Sequence, residues 1–230
     1  IGNTFYLNLY SLATFPLPLL LALLIHYMPS VRFRKTVQMV SYAPHFISTV
    51  VMCGVVIQFL SLRGGLINEV LALFGVPAVN YMGKAEAFRS IYVWSDVWQH
   101  IGFNSIIYIA TLAGVSPELH EAAIIDGANI PRRIWHVDIP AVMPTFSILL
   151  ILSCGRLFSL GFEKVLLLQN DLNTSVSSVI STYVYNVGLA AAQPRYAYAS
   201  AVGLFTSVIN IVLLVSVNRI VKRFSDSGLW

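Results

Sequence analysis

The stretch AYASAVGLFTSVINIVLLVSVNRIV, residues 197–221, carries a single charged side chain, Arg219. A helix crosses a bilayer with roughly 20 mainly apolar residues, and lipid accepts only elements that satisfy their own backbone groups. Four further stretches meet the same test. They are residues 5–27 with Pro16 and Pro18 inside, 37–60 with Pro44, 90–113, and 141–160 with an extension toward Leu168 left open. Membrane helices tolerate such prolines where neighbouring groups satisfy the freed carbonyls. Five spans are therefore expected. The composition agrees: 57% of the 230 residues are hydrophobic and only 10% are charged, and mean hydropathy is +0.75. A soluble domain carries about 25% charged residues, so a soluble enzyme, a nucleic-acid binder and a disordered chain are all excluded.

The net charge of +4 reads as topology. Arg32, Arg34, Lys35, Arg132, Arg133, Arg219, Lys222 and Arg223 fall on one side of the alternating spans. Arg63, Lys84, Arg89, Lys164 and Arg195 fall on the other, over longer loops. The positive-inside bias then puts the first group, and the C-terminal tail, in the cytoplasm. The chain starts at Ile1 and on this topology starts outside, so a preceding span is expected upstream. Cys53 and Cys154 lie in apolar stretches and read as small buried hydrophobes. GGLINEVLALFGVPAVN (64–80) reads as a short interfacial helix between a Gly-Gly start and a Gly-Val-Pro stop. Residues 169–195 are too polar for a firm sixth span, which would also reverse the tail; an outer-face or partly re-entrant helix is expected there.

One loop has a pattern of its own. Residues 114–140 read GVSPELHEAAIIDGANIPRRIWHVDIP and hold four of the ten acidic residues. Ser116 and Pro117 are an N-cap and a first-turn proline, and Glu118 sits where the helix dipole favours an anion. The helix should run to Asp126, with Gly127 supplying a left-handed stop. Asn129, Ile130 and Pro131 can open a second short helix, expected to end at Pro140. On composition alone this is a capped connector, with Leu119, Ala122 and Ala123 as its close-approach surface.

The order Glu121-Ala122-Ala123, two residues, Asp126-Gly127-Ala128, five residues, then Ile134, Val137, Ile139 and Pro140 resembles the EAA motif of importer-type ABC permeases. Ile134, Val137 and Ile139 stand where that motif has Phe, Ile and Leu. The stretches SYAPHFIS (41–48), GGLIN (64–68), IYVWSDVWQHIGFNSIIYIATLAGVSPELHEAA (91–123) and YASAVGLFTSVINIVLL (198–214) extend the resemblance over the whole chain. They are similar to the carbohydrate branch, in particular permeases for oligosaccharides and for alginate or polygalacturonate fragments. The resemblance implies an all-α polytopic bundle of the type I importer class. Residues 1–230 would form one permease domain in a bacterial inner membrane. The subunit would not be catalytic itself. Its partners would be a second, different permease subunit, two ATPase subunits, an extracytoplasmic solute-binding protein, a carbohydrate substrate and membrane lipid, with no nucleic acid.

The motif loop would then be a coupling helix. Glu121 would contact an ATPase arginine, Ala122 and Ala123 would permit close seating and Gly127 would make the elbow; Asp126, Ala128, Arg132 and Pro140 complete the set. No GxxxxGK[ST] loop occurs in the chain, so ATP and Mg²⁺ would be bound by the partner ATPase and no cofactor or metal by this chain.

Sugars are recognised by aromatic faces and hydrogen-bonding side chains. Trp94, Asp96, Trp98, Gln99 and Asn104 in the third span, Arg156 in the fourth, and Tyr183, Tyr185 and Asn186 are the substrate-pathway candidates. Each has a plainer reading. The tryptophans suit an interfacial belt, Asp96 an ion pair for which Arg156 is available, Asn104 an interhelical hydrogen bond, and the tyrosine cluster a loop packed on the bundle. His26, His45 and His136 have no metal-ligand spacing. Alternatives of other kinds are an amino-acid or peptide permease, a channel needing no ATPase, and an intramembrane enzyme, for which no HExxH or paired-Asp set is present.

Overall fold

The computed structural model describes residues 1–223, 228 and 229, and among them there is no β-strand. Thirteen α-helices follow one another: α1 (Gly2–Ala13), α2 (Leu17–His26), α3 (Val31–Tyr42), α4 (Thr49–Phe59), α5 (Leu66–Ala72), α6 (Ala85–Ala113), α7 (Pro117–Ile125), α8 (Ile130–Arg133), α9 (Ile139–Cys154), α10 (Phe162–Leu168), α11 (Thr174–Ser177), α12 (Ile180–Tyr185) and α13 (Tyr196–Val221). The all-α expectation holds.

Among the described residues three helical segments are long and apolar enough to cross a membrane: Gly2–His26, Ile130–Cys154 and Tyr196–Val221. A fourth counts if the broken pair α3 and α4 is one span. The second expected span is thus no single helix. Ser48 caps α4 by accepting from the Val51 amide, which starts a new helix after Pro44. The third expected span lies inside α6, which is 29 residues long, or about 43 Å. Its polar positions keep it below the apolarity of the others, and several of these are buried: Ser95, Gln99 and Ser105. The fourth span begins and ends earlier than expected. Residues 169–195 hold only short helices and a π turn at Asn186–Ala190, none long enough to cross a membrane.

The chain forms two compact units. The first comprises Ile1–Ala13, Phe46–Gln99 and Arg156–Ile211; the second comprises Thr14–His45, His100–Gly155 and the chain from Val212 on. The first unit packs Leu7, Cys53, Phe88, Tyr92, Val93, Val165, Leu168 and Val179 into one core. Polar side chains close its helix breaks. Asn8 donates to the Leu157 carbonyl at 2.7 Å, and Asn210 accepts from the Phe158 amide at 3.1 Å while donating to Ser159 at 2.7 Å. Backbone groups freed at a break have no water in a bilayer, so an asparagine from a neighbouring helix is the required substitute.

The second unit packs Ala22, Leu23, Tyr108, Leu112 and Val142. Here α6 and α3 approach so closely that a Cβ on Gly102 would lie 2.1 Å from the Ser41 carbonyl oxygen; only glycine fits. By contrast the apolar window of α13 buries none of its residues. Leu204, Phe205, Val208, Ile211 and Val212 stand exposed along it, a surface that lipid covers without cost and water does not.

Candidate functional site

The elbow at 114–140 forms from local signals. Ser116 occupies the N-cap of α7, although its hydroxyl makes no capping bond. At the other end the Ala128 amide donates to the Ala123 carbonyl at 2.8 Å and the Gly127 amide to Ile124 at 3.0 Å, the paired bonds of a Schellman stop. This geometry needs a left-handed residue, and Gly127 supplies it with φ 76°. Asn129 then accepts from the Arg132 amide at 3.1 Å and caps α8.

The second helix does not end at Pro140. It runs on through Pro140 and Pro144 as the span Ile130–Cys154. The turn before it is widened to π geometry over Ile134–Asp138, with the Ile139 amide reaching back to the Ile134 carbonyl. Proline cannot donate to, and collides with, the carbonyl four residues back. The wider turn removes that collision and lets the helix continue.

The elbow presents its motif residues outward. Glu121, Ala122, Asp126, Gly127, Arg132 and Pro140 are exposed, and Ala123 and Ala128 are half-buried. No residue of α7 is buried. Leu119 and Ile124 are each 55% exposed and Ile125 86%, so the helix offers an apolar face beside Glu121.

Its inner side is fastened by a different set. Asp138 is fully buried. It accepts from the Tyr27 hydroxyl at 2.6 Å, and His120 Nε2 lies 3.3 Å from its Oδ1. Arg133 stacks its guanidinium 5.4 Å over the Tyr27 ring. Burial first, and then the hydrogen bond to Asp138, raise the Tyr27 phenol above its usual pKa. Sequence spacing gave no sign of this cluster, because its members come from α2, α7 and the π turn.

The pathway candidates fall in separate environments. In the first unit Asp96 is half-exposed and receives a 3.0 Å hydrogen bond from Lys164, which is buried and lies 4.7 Å over the Tyr92 ring. Lys164, which residue order alone assigns to an outer loop, is thus the partner in place of the expected Arg156, which is exposed. Trp94 and Trp98 are about half-exposed, and Trp94 donates to the Tyr10 hydroxyl at 3.0 Å. Gln99 is buried and its amide donates to the Ile47 carbonyl at 2.8 Å, which ties it to the break before α4. Asn104, in the second unit, is exposed, as is Asn186 in the first. Tyr185 stacks on Phe162 with centroids 5.3 Å apart. Tyr183 meets Tyr198 edge-on and lines a cavity of about 610 Å³ in the first unit, with Phe158, Tyr198, Phe205, Ser178 and Thr206 among its walls.

The described residues are thus helical, with long apolar segments and an outward, capped elbow leading from α6 into one of them. Residues 14–226 match the binding-protein-dependent transport system inner membrane component family, and the chain belongs to that family. It is 39% identical to the polygalacturonan/rhamnogalacturonan transport system permease YteP of Bacillus subtilis, over 99% of this chain and 71% of that protein. It superposes with a TM-score of 0.94 on the crystal structure of a bacterial ABC transporter that imports the acidic polysaccharide alginate. There it is 38% identical and covers 98% of this chain and 78% of that one. A second structure, of the bacterial alginate ABC transporter with an alginate-pentasaccharide-bound periplasmic protein, gives 0.95 at 38% identity over 100% of this chain and 79% of that one. The family decides for transport over an intramembrane enzyme or a free-standing channel.

Proposed function

We propose that this chain is the membrane-spanning subunit of an ATP-driven importer that moves an oligosaccharide or polysaccharide fragment by alternating access. The observation that carries this reading is likeness over 98% of this chain, at 38% identity and a TM-score of 0.94, to a bacterial ABC transporter involved in the import of an acidic polysaccharide. The polygalacturonan/rhamnogalacturonan permease at 39% identity points to the same cargo class, away from an amino acid or peptide. In this reading residues 1–230 act as one permease domain of a bacterial inner membrane, with the C-terminus cytoplasmic.

The 114–140 elbow is the coupling helix. Glu121 meets an ATPase arginine and fixes register through a charge-assisted hydrogen bond. Exposed Leu119, Ile124 and Ile125 fill a groove around it. The Schellman stop and the Asn129 cap make α7 a stiff lever, and a stiff lever transmits rigid-body motion. ATP and Mg²⁺ sit in two separate ATPase subunits. A second, different permease subunit completes the pathway, and a solute-binding protein delivers cargo from outside. Tyr183 and the aromatic walls of the first-unit cavity, with Trp94 and Trp98, offer faces for sugar rings; Asp96 and Lys164 hold the same unit in register.

The test is reconstitution of the assembled complex and measurement of ATPase stimulation by loaded binding protein, across acidic and neutral oligosaccharides, amino acids and peptides. Stimulation by an oligosaccharide is expected. Stimulation only by an amino acid or peptide would refute the cargo. Undiminished stimulation in Glu121→Lys would refute coupling through the elbow.

A further inference from the structure

The cluster beneath the elbow has the chemistry of a metal site. His26, His120 and Asp138 each offer one ligand atom, and the three atoms lie within 4.8 Å of one another. His120 Nε2 and Asp138 Oδ1 are 3.3 Å apart. Two ligands bound to one tetrahedral zinc at about 2.0–2.1 Å stand roughly 3.3–3.4 Å apart. The pair is at ion-pair distance, yet neither atom makes an aligned hydrogen bond, and both are buried from solvent. Asp138 is fully buried, where an unsatisfied carboxylate oxygen is costly. Its other oxygen accepts from Tyr27 at 2.6 Å, the kind of second partner that orients a ligating carboxylate. The rings of His26 and His120 are 6.1 Å apart between centroids.

From these distances we propose that His26, His120 and Asp138 form a three-ligand site for a first-row divalent ion of the zinc type. It leaves a fourth position open and pins α7 to the end of α2 and the start of α9. Two imidazoles and one carboxylate suit zinc, cobalt or nickel, and not the all-oxygen preference of calcium or magnesium. The ion bridges the elbow to the span ends, so its occupancy stiffens α7. The proposal stands on the cluster alone and not on the transport cargo.

The experiment uses the purified assembled complex, stripped with chelator and titrated with Co²⁺, whose visible ligand-field bands report nitrogen–oxygen coordination. The expected result is saturation at one equivalent per copy of this chain. Affinity should fall at least tenfold in His120→Gln and in Asp138→Asn, and 10–100-fold in Tyr27→Phe, which keeps all three ligands. Zn²⁺ should also slow amide hydrogen exchange across residues 119–126 in the natural chain and leave His120→Gln unchanged. His120 is only partly buried, so that variant reads out even where Asp138→Asn fails to assemble. No saturable band, or an equal affinity in His120→Gln, overturns the site. Bound Co²⁺ with no change in α7 exchange overturns the pinning.

Discussion

Replacing Asp96 by Asn removes the negative end of a pair whose positive end cannot reach solvent. Lys164 is 93% buried by its residual 7% exposure; Asp96 keeps half of its side chain open. Breaking a buried pair from one side costs about 3–5 kcal/mol, because the remaining charge is stranded. The Tyr92 ring under the ammonium, at 4.7 Å, remains as a partial partner, which argues for the low end, about 3 kcal/mol. Removing the lysine instead leaves a carboxylate that is half open to solvent, and Lys164→Met should cost about 1 kcal/mol, the scale of an exposed pair. The double variant Asp96→Asn/Lys164→Met carries no stranded charge and should return to within about 1 kcal/mol of the natural chain. Thermal unfolding of the purified complex is the assay. For a chain of this length the single Asp96→Asn change should lower the midpoint by about 6–12 °C. Additive losses in the double variant would refute the coupling of the two charges, and equal losses from the two single variants would refute the burial argument that makes the lysine the costlier charge to leave behind.

Gly127→Ala should destabilise the elbow by about 1–2 kcal/mol, because φ 76° is forced on a residue with a Cβ; no atom lies within 4 Å of that Cβ, so the loss is conformational, and hydrogen exchange at residues 123–128 will rise. Asn68 is buried, donates to the Ser61 and Val79 carbonyls and accepts from the Val79 amide; Asn68→Ala should cost about 1–3 kcal/mol in thermal unfolding. Tyr183→Ala should lower oligosaccharide-stimulated ATPase activity at limiting loaded binding protein with little change in unfolding midpoint, because 48% of the side chain is exposed. Gly102→Ala should block close packing of α6 on α3 and cut the yield of folded chain, read by size-exclusion of the detergent-solubilised complex.

The elbow was legible because its signals are local. Pro117, Gly127 and Asn129 act within a few residues, and each appears where its conformational preference predicts. The end of the following helix is not legible, for the same reason. A proline rule alone stops the helix at Pro140, but the π turn at Ile134–Asp138 relieves the clash, and nothing in the residue order announces a π turn. The second span illustrates the opposite gap. Its apolar length predicts one helix, while Ser48 at the break starts another.

The sequence by itself determined that the chain is an all-helical membrane protein, where most of its spans lie, and which loop carries the elbow. Apolar length and backbone capping depend on neighbours three to five positions away and survive without the rest of the fold. Tertiary structure decided the partners. Lys164 reaches Asp96 across 68 positions, Asn210 closes the break at Phe158, and α2, α7 and the π turn bring His26, His120 and Asp138 to one point. A buried charge or amide is stabilised only by what packs against it, and which helices pack together is set by close approaches such as Gly102 on Ser41, which no spacing along the chain encodes.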